Sequence, residues 1–497
     1  MKIKQKIAPV LITIFSFLIL VFSGCSKAPS KGGGGGGSTG STGSTGTSTT
    51  PLPTDVNMWL TNPDQSQLLA KQNVSLLFNT TTNSNITIHV DTTTTYQTVD
   101  GFGFALTDGS AQVINGLNAP INAALLKELF STDSACIGIS YLRLTLGASD
   151  LSAAPFTYDD VPAGSTDVNL SQFSLSPDMV DLIPTLKKIL AINPNIKILA
   201  CPWSAPAWMK TNGNLSGGSL LPQYYSAYAN YFVKYIQGMA AQGINITAIT
   251  PQNEPLNPSN NPAMVEQDTA ESVFIANYLG PAFAANNITT KIICYDHNCD
   301  RPDYPTYVLN SAANQYVDGS AFHFYAGNIT ALSQVHNAFP NKNIYFTEWA
   351  TIAGDSFSSD LSNHVGSLII GAMINWSRNV LEWNLASDPS FEPHTTGGCG
   401  TCMGAITVSG GTTYSRNVSY YIIAHASKFV RPGATRIASV GTDNSTELPS
   451  VAFKNPDGSK VLIVLNVSGS TQAFNISFNS KIVTSTLEAG AVATYKW

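Results

Sequence analysis

The sequence is poor in charge. Only 11% of its 497 residues are Asp, Glu, Lys or Arg, 43% are hydrophobic, and the formal net charge is −6. No basic cluster stands out, which excludes nucleic acid as a partner. Surface polarity must come from Asn, Ser, Thr and Gln. Cysteine is scarce as well, at seven residues. A single Cys-x-x-Cys at Cys399 and Cys402, with no second pair beside it, is not the pattern of a zinc module. After the first 22 residues no apolar run approaches the ~20 residues of a membrane span. What is plentiful is aromatic: 19 Tyr and 7 Trp fit a carbohydrate-facing surface, and equally a large core. The length suits one large domain with a smaller one attached.

The N-terminus reads as a targeting segment. Lys2, Lys4 and Lys6 precede the apolar run Ala8 to Phe22, and Ser23-Gly24 leads to Cys25. This resembles a bacterial lipoprotein signal over residues 1–24, cleaved before Cys25 with lipid added to its thiol. Phe22 departs from the usual Leu, so an ordinary secretory signal is the alternative. Residues 25–50 carry six consecutive Gly and then Ser-Thr-Gly repeats. That composition buries no core and reads as a tether. The expected layout is a lipid-anchored protein at the outer membrane or cell surface, as a monomer. Of the other cysteines, Cys136 and Cys201 lie in apolar stretches and read as buried thiols. Cys294 with Cys299, and Cys399 with Cys402, are left open between disulfides and free thiols.

Residues 51–98 read as short strands, at Val56–Leu60, Ser75–Phe78 and Ile86–Val90. From residue 99 to 430 strands alternate with helices. The strands are Gly101–Leu106, Ile137–Leu146, Ile196–Cys201, Ile244–Ile249, Lys291–Tyr295, Ser320–Tyr325, Asn343–Glu348 and Val380–Leu385. Helices are expected near 120–130, 177–192, 222–242, 266–285 and 416–428. Eight strands in strict alternation predict an α/β fold, a (β/α)₈ TIM barrel. A doubly wound sheet is the alternative, but Gly101-Phe-Gly103 lacks the third Gly of a dinucleotide fingerprint. Residues 431–497 turn all-β, and their strands are expected to join the N-terminal ones in a β-sandwich beside the barrel.

The strand ends carry the chemistry. Thr250-Pro-Gln-Asn-Glu-Pro255 follows the fourth strand, and Pro255 stops its continuation. Asn253 and Glu254 therefore sit at the mouth of the barrel, the face that bears active sites. Glu348 closes the seventh strand. Two carboxylates far apart in sequence and opposed across one mouth are what a retaining glycosidase needs, at about 5–5.5 Å. One must have a raised pKa as general acid, and the other must stay ionised to attack. Glu382 is a rival carboxylate, with a structural role as its plainer reading. His297 with Asp296 and Cys294 is a weak metal pattern; no metal or cofactor is expected.

These stretches, with Val99-Asp-Gly-Phe-Gly-Phe-Ala-Leu-Thr-Asp108, Leu142-Arg-Leu144, Ser149-Asp150, Cys201-Pro-Trp-Ser-Ala-Pro-Ala-Trp-Met-Lys-Thr-Asn-Gly213, Phe346-Thr-Glu348 and Glu382-Trp-Asn-Leu-Ala386, resemble the glucosylceramidase-like glycoside hydrolases of family 30. The resemblance runs from about Gln97 to the C-terminus. It implies double displacement with retention, Glu254 as acid/base and Glu348 as nucleophile. It implies that Asn253 holds the 2-hydroxyl of the sugar and that Arg143 keeps the nucleophile ionised. Asp150, Trp203 and Trp383 would grip the same glucosyl unit, and Tyr325 would stand near the nucleophile. His323, two residues before it, is a further substrate-side residue with a hydrogen-bonded packing role.

Substrate is read from the loop Pro393-His-Thr-Thr-Gly-Gly-Cys-Gly-Thr-Cys-Met-Gly404. It resembles the Cys-bearing loop of the microbial β-1,6-glucanase branch rather than the Asn-Trp loop of animal ceramidases. It has no Arg or Lys for an acidic side group. An endo-β-1,6-glucanase is expected; a β-glucosidase or glucosylceramidase-type exo activity, or a non-catalytic glycan-binding surface lipoprotein, are the alternatives.

Overall fold

The computed structural model describes residues 51–441 and 446–497. The signal-like segment, the tether and Cys25 lie outside them. Among the described residues no helix is long and apolar enough to cross a membrane.

The eight expected strands close into a parallel barrel. They run Gly101–Leu106, Tyr141–Thr145, Lys197–Cys201, Ala248–Ile249, Lys291–Cys299, Val317–Gly327, Asn343–Glu348 and Ser377–Asn384. One set of side chains from every second position fills the interior: Tyr141, Leu199, Ala248, Ile293, Ala321, Tyr345 and Leu381 pack together there. The alternate set faces the surrounding helices in the main core. The fourth strand is shorter than its apolar run. Ile244 and Ile246 are buried before pairing begins, and Thr247 already bonds Ile198 O through its amide at 2.8 Å. The fifth strand is longer than expected. Its register shifts between Tyr295 and His297, where Tyr295 and Asp296 both take positive φ, 78° and 61°.

The expected helix near 266–285 is present with a π-helical turn, Ile275–Leu279, between Asp268–Phe274 and Gly280–Ala285. Pro281 explains the turn: it has no N–H to give and crowds the preceding carbonyls, and a wider turn absorbs both. The helix after the second strand starts at Leu182, not near 177. Asp303–Asn310, Ala331–Ala338 and Phe357–His364 are helices that the sequence hid behind mixed polar composition.

The N- and C-terminal strands share one nine-stranded sheet. Ile86–Thr98 lies between Gln472–Phe478 and Thr435–Gly441, and Asn57–Thr61 pairs antiparallel with Val492–Lys496. The central strands of the sheet are buried on both faces, while Lys481–Leu487 at its edge alternates buried and exposed residues. Along Lys460–Leu465, Val461, Ile463 and Leu465 enter the barrel core, while Leu462 and Val464 enter the sandwich's own core. Ser75–Phe78 is not a strand. Leu76 O instead accepts the amides of Asp55 and Val56, and only Asn79 makes a bridge, to Ile482.

Candidate active site

The ends of the second to eighth strands, with the loops that follow them, deliver groups to a cleft of about 460 Å³ at the C-terminal mouth. Asp150, Trp203, Glu254, Tyr325, Glu348 and Trp383 line it. Arg143, Asn253 and His323 stand behind them, at most 3% exposed. The sequence-derived residues thus converge, Cys25 apart. Glu382 does not join them. It points outward from the eighth strand and bonds His364 Nδ1 at 2.8 Å, while Leu381 and Trp383 face inward.

The centre is Arg143. Its guanidinium reaches Glu348 Oε2 at 2.6 Å, Asn253 Oδ1 at 2.7 Å and Asp296 Oδ2 at 2.8 Å. Burial alone would lower its pKa, but the Asp296 and Glu348 carboxylates hold it up, so it is a permanent cation. It also lies over the rings of Trp203 and Trp383, at 4.8 and 5.7 Å. Those rings stack on each other at 5.3 Å and are only 1% and 3% exposed. They are cleft wall first, with little free face.

Asp296 is the group the sequence did not assign. It is fully buried and accepts from Arg143, Thr250 Oγ1 at 2.7 Å, Thr347 Oγ1 at 2.6 Å and Cys201 Sγ at 3.1 Å. Burial pushes its carboxyl up, yet Arg143 and His323 hold it well below the usual range. The residue could have been found by asking what closes the fifth strand. Its pairing with His297 and Cys294 as a metal pattern does not form, because Cys294 faces the helix-side core.

Glu254 and Glu348 face each other across His323. Among the described residues these three are the set with metal-ligand spacing, one ligand atom from each lying within 4.8 Å of the others. One carboxylate oxygen of Glu254 therefore lies within 4.8 Å of one of Glu348, the kind of close approach a retaining pair needs. Arg143 already supplies a cation at Glu348. Both Glu348 oxygens receive donors, Oε2 from Arg143 and Oε1 from Tyr325 Oη at 3.0 Å. Glu254 Oε1 meets His323 Nδ1 at 3.2 Å, and its Oε2 accepts Asn257 Nδ2 at 2.7 Å. His323 Nε2 meets Asp296 Oδ1 at 3.2 Å.

The protonation pattern differs from the expected one. Burial raises the Glu254 carboxyl, but His323 and Asn257 outweigh it and hold it at about 2. At Glu348 burial wins over His323 and Arg143, and the carboxyl is raised. Burial would lower His323, but Glu348, Asp296 and Glu254 lift it to about 9. The surroundings of His323 thus favour its protonated form and those of Glu254 its ionised form. Sequence spacing could not show that a sixth-strand histidine stands between the fourth- and seventh-strand glutamates. Asp150 is lifted by burial, then by Glu348, to about 7.

The rim holds the disulfide. Cys399 and Cys402 are bonded, with Cα atoms 5.5 Å apart, and Cys294 and Cys299 are buried thiols. The disulfide loop lines the cleft beside Ile352, and the Cys399 amide donates to Asp150 Oδ2 at 3.3 Å.

Comparison with known proteins identifies the family. Residues 99–430 match the glycosyl hydrolase family 30 TIM-barrel domain, and residues 433–495 match that family's beta sandwich domain. Over 407 residues the chain is 38% identical to endo-1,6-beta-D-glucanase neg1 of Aspergillus fumigatus, covering 77% of this chain and 81% of that one. It is 32% identical over 430 residues to lysosomal acid glucosylceramidase of Mus musculus, covering 81% of each. The solved endo-beta1,6-glucanase BT3312 superposes with a TM-score of 0.83 at 34% identity, over 90% of this chain and 99% of that one. The chain belongs to glycoside hydrolase family 30.

Proposed function

We propose that the protein is an endo-β-1,6-glucanase that works by double displacement with Glu348 as nucleophile and Glu254 as acid/base. The close approach of the Glu254 and Glu348 carboxylates across the mouth supports the mechanism. In the first step a Glu348 oxygen bonds to the anomeric carbon and the bond from that carbon to the leaving oxygen breaks. The electron pair goes to the leaving oxygen, which takes a proton from Glu254. Glu254 draws that proton from His323 Nδ1 across the 3.2 Å contact. In the second step water attacks the anomeric carbon, gives its proton to Glu254, and releases Glu348. Arg143 and Tyr325 stabilise Glu348 as it leaves. Asn253 has committed its oxygen to Arg143, which leaves its N–H₂ for the 2-hydroxyl of the sugar.

The substrate reading rests on the relatives and on the cleft chemistry. The endo-1,6-glucanases are more similar to this chain, at 38%, than the glucosylceramidases, at 30–32%. No Lys or Arg is among the residues that line the cleft, which suits a neutral glucan and gives no grip on a uronic acid. We place the enzyme outside the cell, anchored through lipid on Cys25.

The test uses protein lacking residues 1–50, with Glu254→Gln and Glu348→Gln variants. Substrates are linear β-1,6-glucan, β-1,3-glucan, xylan and an aryl β-glucoside, with products resolved by chain length. Early β-1,6-linked oligomers, lost by at least about 10³-fold in both variants, are expected. Release of monomer from the aryl glucoside alone would make it an exo-acting glucosidase. Glucan binding without turnover would leave a binding protein.

A further inference from the structure

Glu254 needs more than a mouth position to act as an acid. One of its oxygens must stay free to hand over a proton, and the carboxyl must not rotate. The loop after it answers both needs. Asn257 Nδ2 donates to Glu254 Oε2 at 2.7 Å, and Asn260 Nδ2 adds a longer contact to the same oxygen at 3.3 Å. Two amide donors on Oε2 stabilise its lone pairs and favour the proton's arriving on the other oxygen. That leaves Oε1, which faces His323 Nδ1.

The amide of Asn257 cannot turn over without loss. Its Oδ1 accepts the backbone N–H of Ser259 at 3.0 Å, so its N–H₂ is the end that must face Glu254. The Asn257 amide N–H also donates to Glu254 O at 2.8 Å. This tight turn goes with the positive φ of Glu254, 44°. The loop is clamped at both ends. Glu266 N donates to Pro255 O at 2.8 Å, and Ala263 N donates to Leu215 O at 2.9 Å. The Lys210 ammonium, 3% exposed, bridges Ala263 O at 2.7 Å, Ser204 Oγ at 2.7 Å and Leu215 O at 3.0 Å. Asn261 Nδ2 ties the same loop to Thr396 O at 3.1 Å. A half-exposed amide held this firmly is pre-organised rather than fortuitous.

We propose that Asn257 is the positioning residue of the acid/base: it fixes the Glu254 rotamer and assigns proton delivery to Oε1. This rests on Glu254 being the acid/base. A positioning residue of this kind matters where the leaving group needs a proton and hardly matters where it does not.

The experiment measures kcat/KM of Asn257→Ala on β-1,6-linked gluco-oligosaccharide and on 2,4-dinitrophenyl β-glucoside, in the wild-type and Glu254→Gln backgrounds. Asn260→Ala, which loses only the longer contact, serves as the milder variant. A drop of about 10²-fold on the oligosaccharide, with less than about 3-fold on the activated glucoside for formation of the glycosyl-enzyme, is expected. In the Glu254→Gln background the substitution should add nothing. Removing a donor to the carboxylate also moves the basic limb of the pH profile upward. Equal losses on both substrates would overturn the proposal. So would a loss that persists in the Glu254→Gln background, which would make Asn257 a direct contact to the leaving sugar. If Glu254→Gln alone keeps full activity on the oligosaccharide, the acid/base assignment itself fails.

Discussion

The two ends of the barrel hold opposite kinds of charge. At the N-terminal floor, Asp100 meets Lys197 at 2.6 Å and Arg378 at 2.9 Å, and Asp318 meets Lys291 at 3.1 Å and Tyr345 Oη at 2.6 Å. Cations there match or exceed anions. Both acids stay below their ordinary range, because these partners overcome the burial that would raise them. At the C-terminal mouth, Glu254, Glu348, Asp296 and Asp150 share one permanent cation, Arg143, and two histidines, His323 and His297. The acids of the floor are neutralised by their partners. The mouth carries surplus acid, which it must share with protons, and His323 at about 9 and Asp150 at about 7 titrate closer to neutrality than the floor acids do. The same fold thus separates charge that stabilises from charge that reacts.

The sharpest way to break the comparison is to remove the cation of the mouth. Arg143→Met leaves Glu348 Oε2, Asn253 Oδ1 and Asp296 Oδ2 without their donor. Breaking a buried pair from one side costs about 3–5 kcal/mol, and kcat should fall by at least about 10³-fold. Thermal melts and glucan hydrolysis check both. A variant that melts like the parent would show that the mouth does not depend on its one cation.

Next in size is a change of opposite sign. The folded Asp150 carboxyl, at about 7, lies above its unfolded value of about 3.9. The folded state therefore holds the proton more tightly, and stability drains away as pH rises from about 4 to 7. Asp150→Asn removes that cost, and its amide oxygen can still accept from the Cys399 amide. It should stabilise the protein by roughly 2–4 kcal/mol near pH 8, by much less near pH 4, and lower activity at both. Melts at the two pH values decide it: an equal gain at both would mean that the carboxyl is not the source.

The mouth of this division, but not the floor, was legible in the sequence, and the reasons are physical. β-branched apolar runs such as Lys291-Ile-Ile-Cys-Tyr295 mark strands whatever surrounds them. Strand order then places Glu254 and Glu348 on one mouth. Polar helices such as Phe357–His364 were not legible, since their apolar face is narrow and their start rests on a cap, Ser356 Oγ taking the Ser359 amide at 3.2 Å. Asp296 was missed because a register shift with two positive-φ residues turns it into the barrel, and local pattern does not encode that. The downward shift of the Glu254 carboxyl was not legible for a related reason. A carboxyl's pKa depends on what lies across the barrel, and His323 is 69 residues from Glu254.

The smallest effect tests the floor. Arg378→Met takes one of two cations from Asp100, whose side chain is only 6% exposed, while Lys197 remains. The loss is therefore partial, about 1–3 kcal/mol, and kcat should stay within about 2-fold because the mouth keeps every partner. Its pH dependence runs opposite to that of Asp150. The folded Asp100 carboxyl is depressed, so its stabilisation is present above the unfolded value of about 3.9 and disappears as pH falls through the folded one. The difference in melting temperature between Arg378→Met and the parent should be flat from about pH 6 to 8 and shrink below about pH 4. A difference that instead grew with pH in the range where Asp150 ionises would mean that the two ends of the barrel are electrostatically coupled. The division between a stabilising floor and a reactive mouth would then have to be given up.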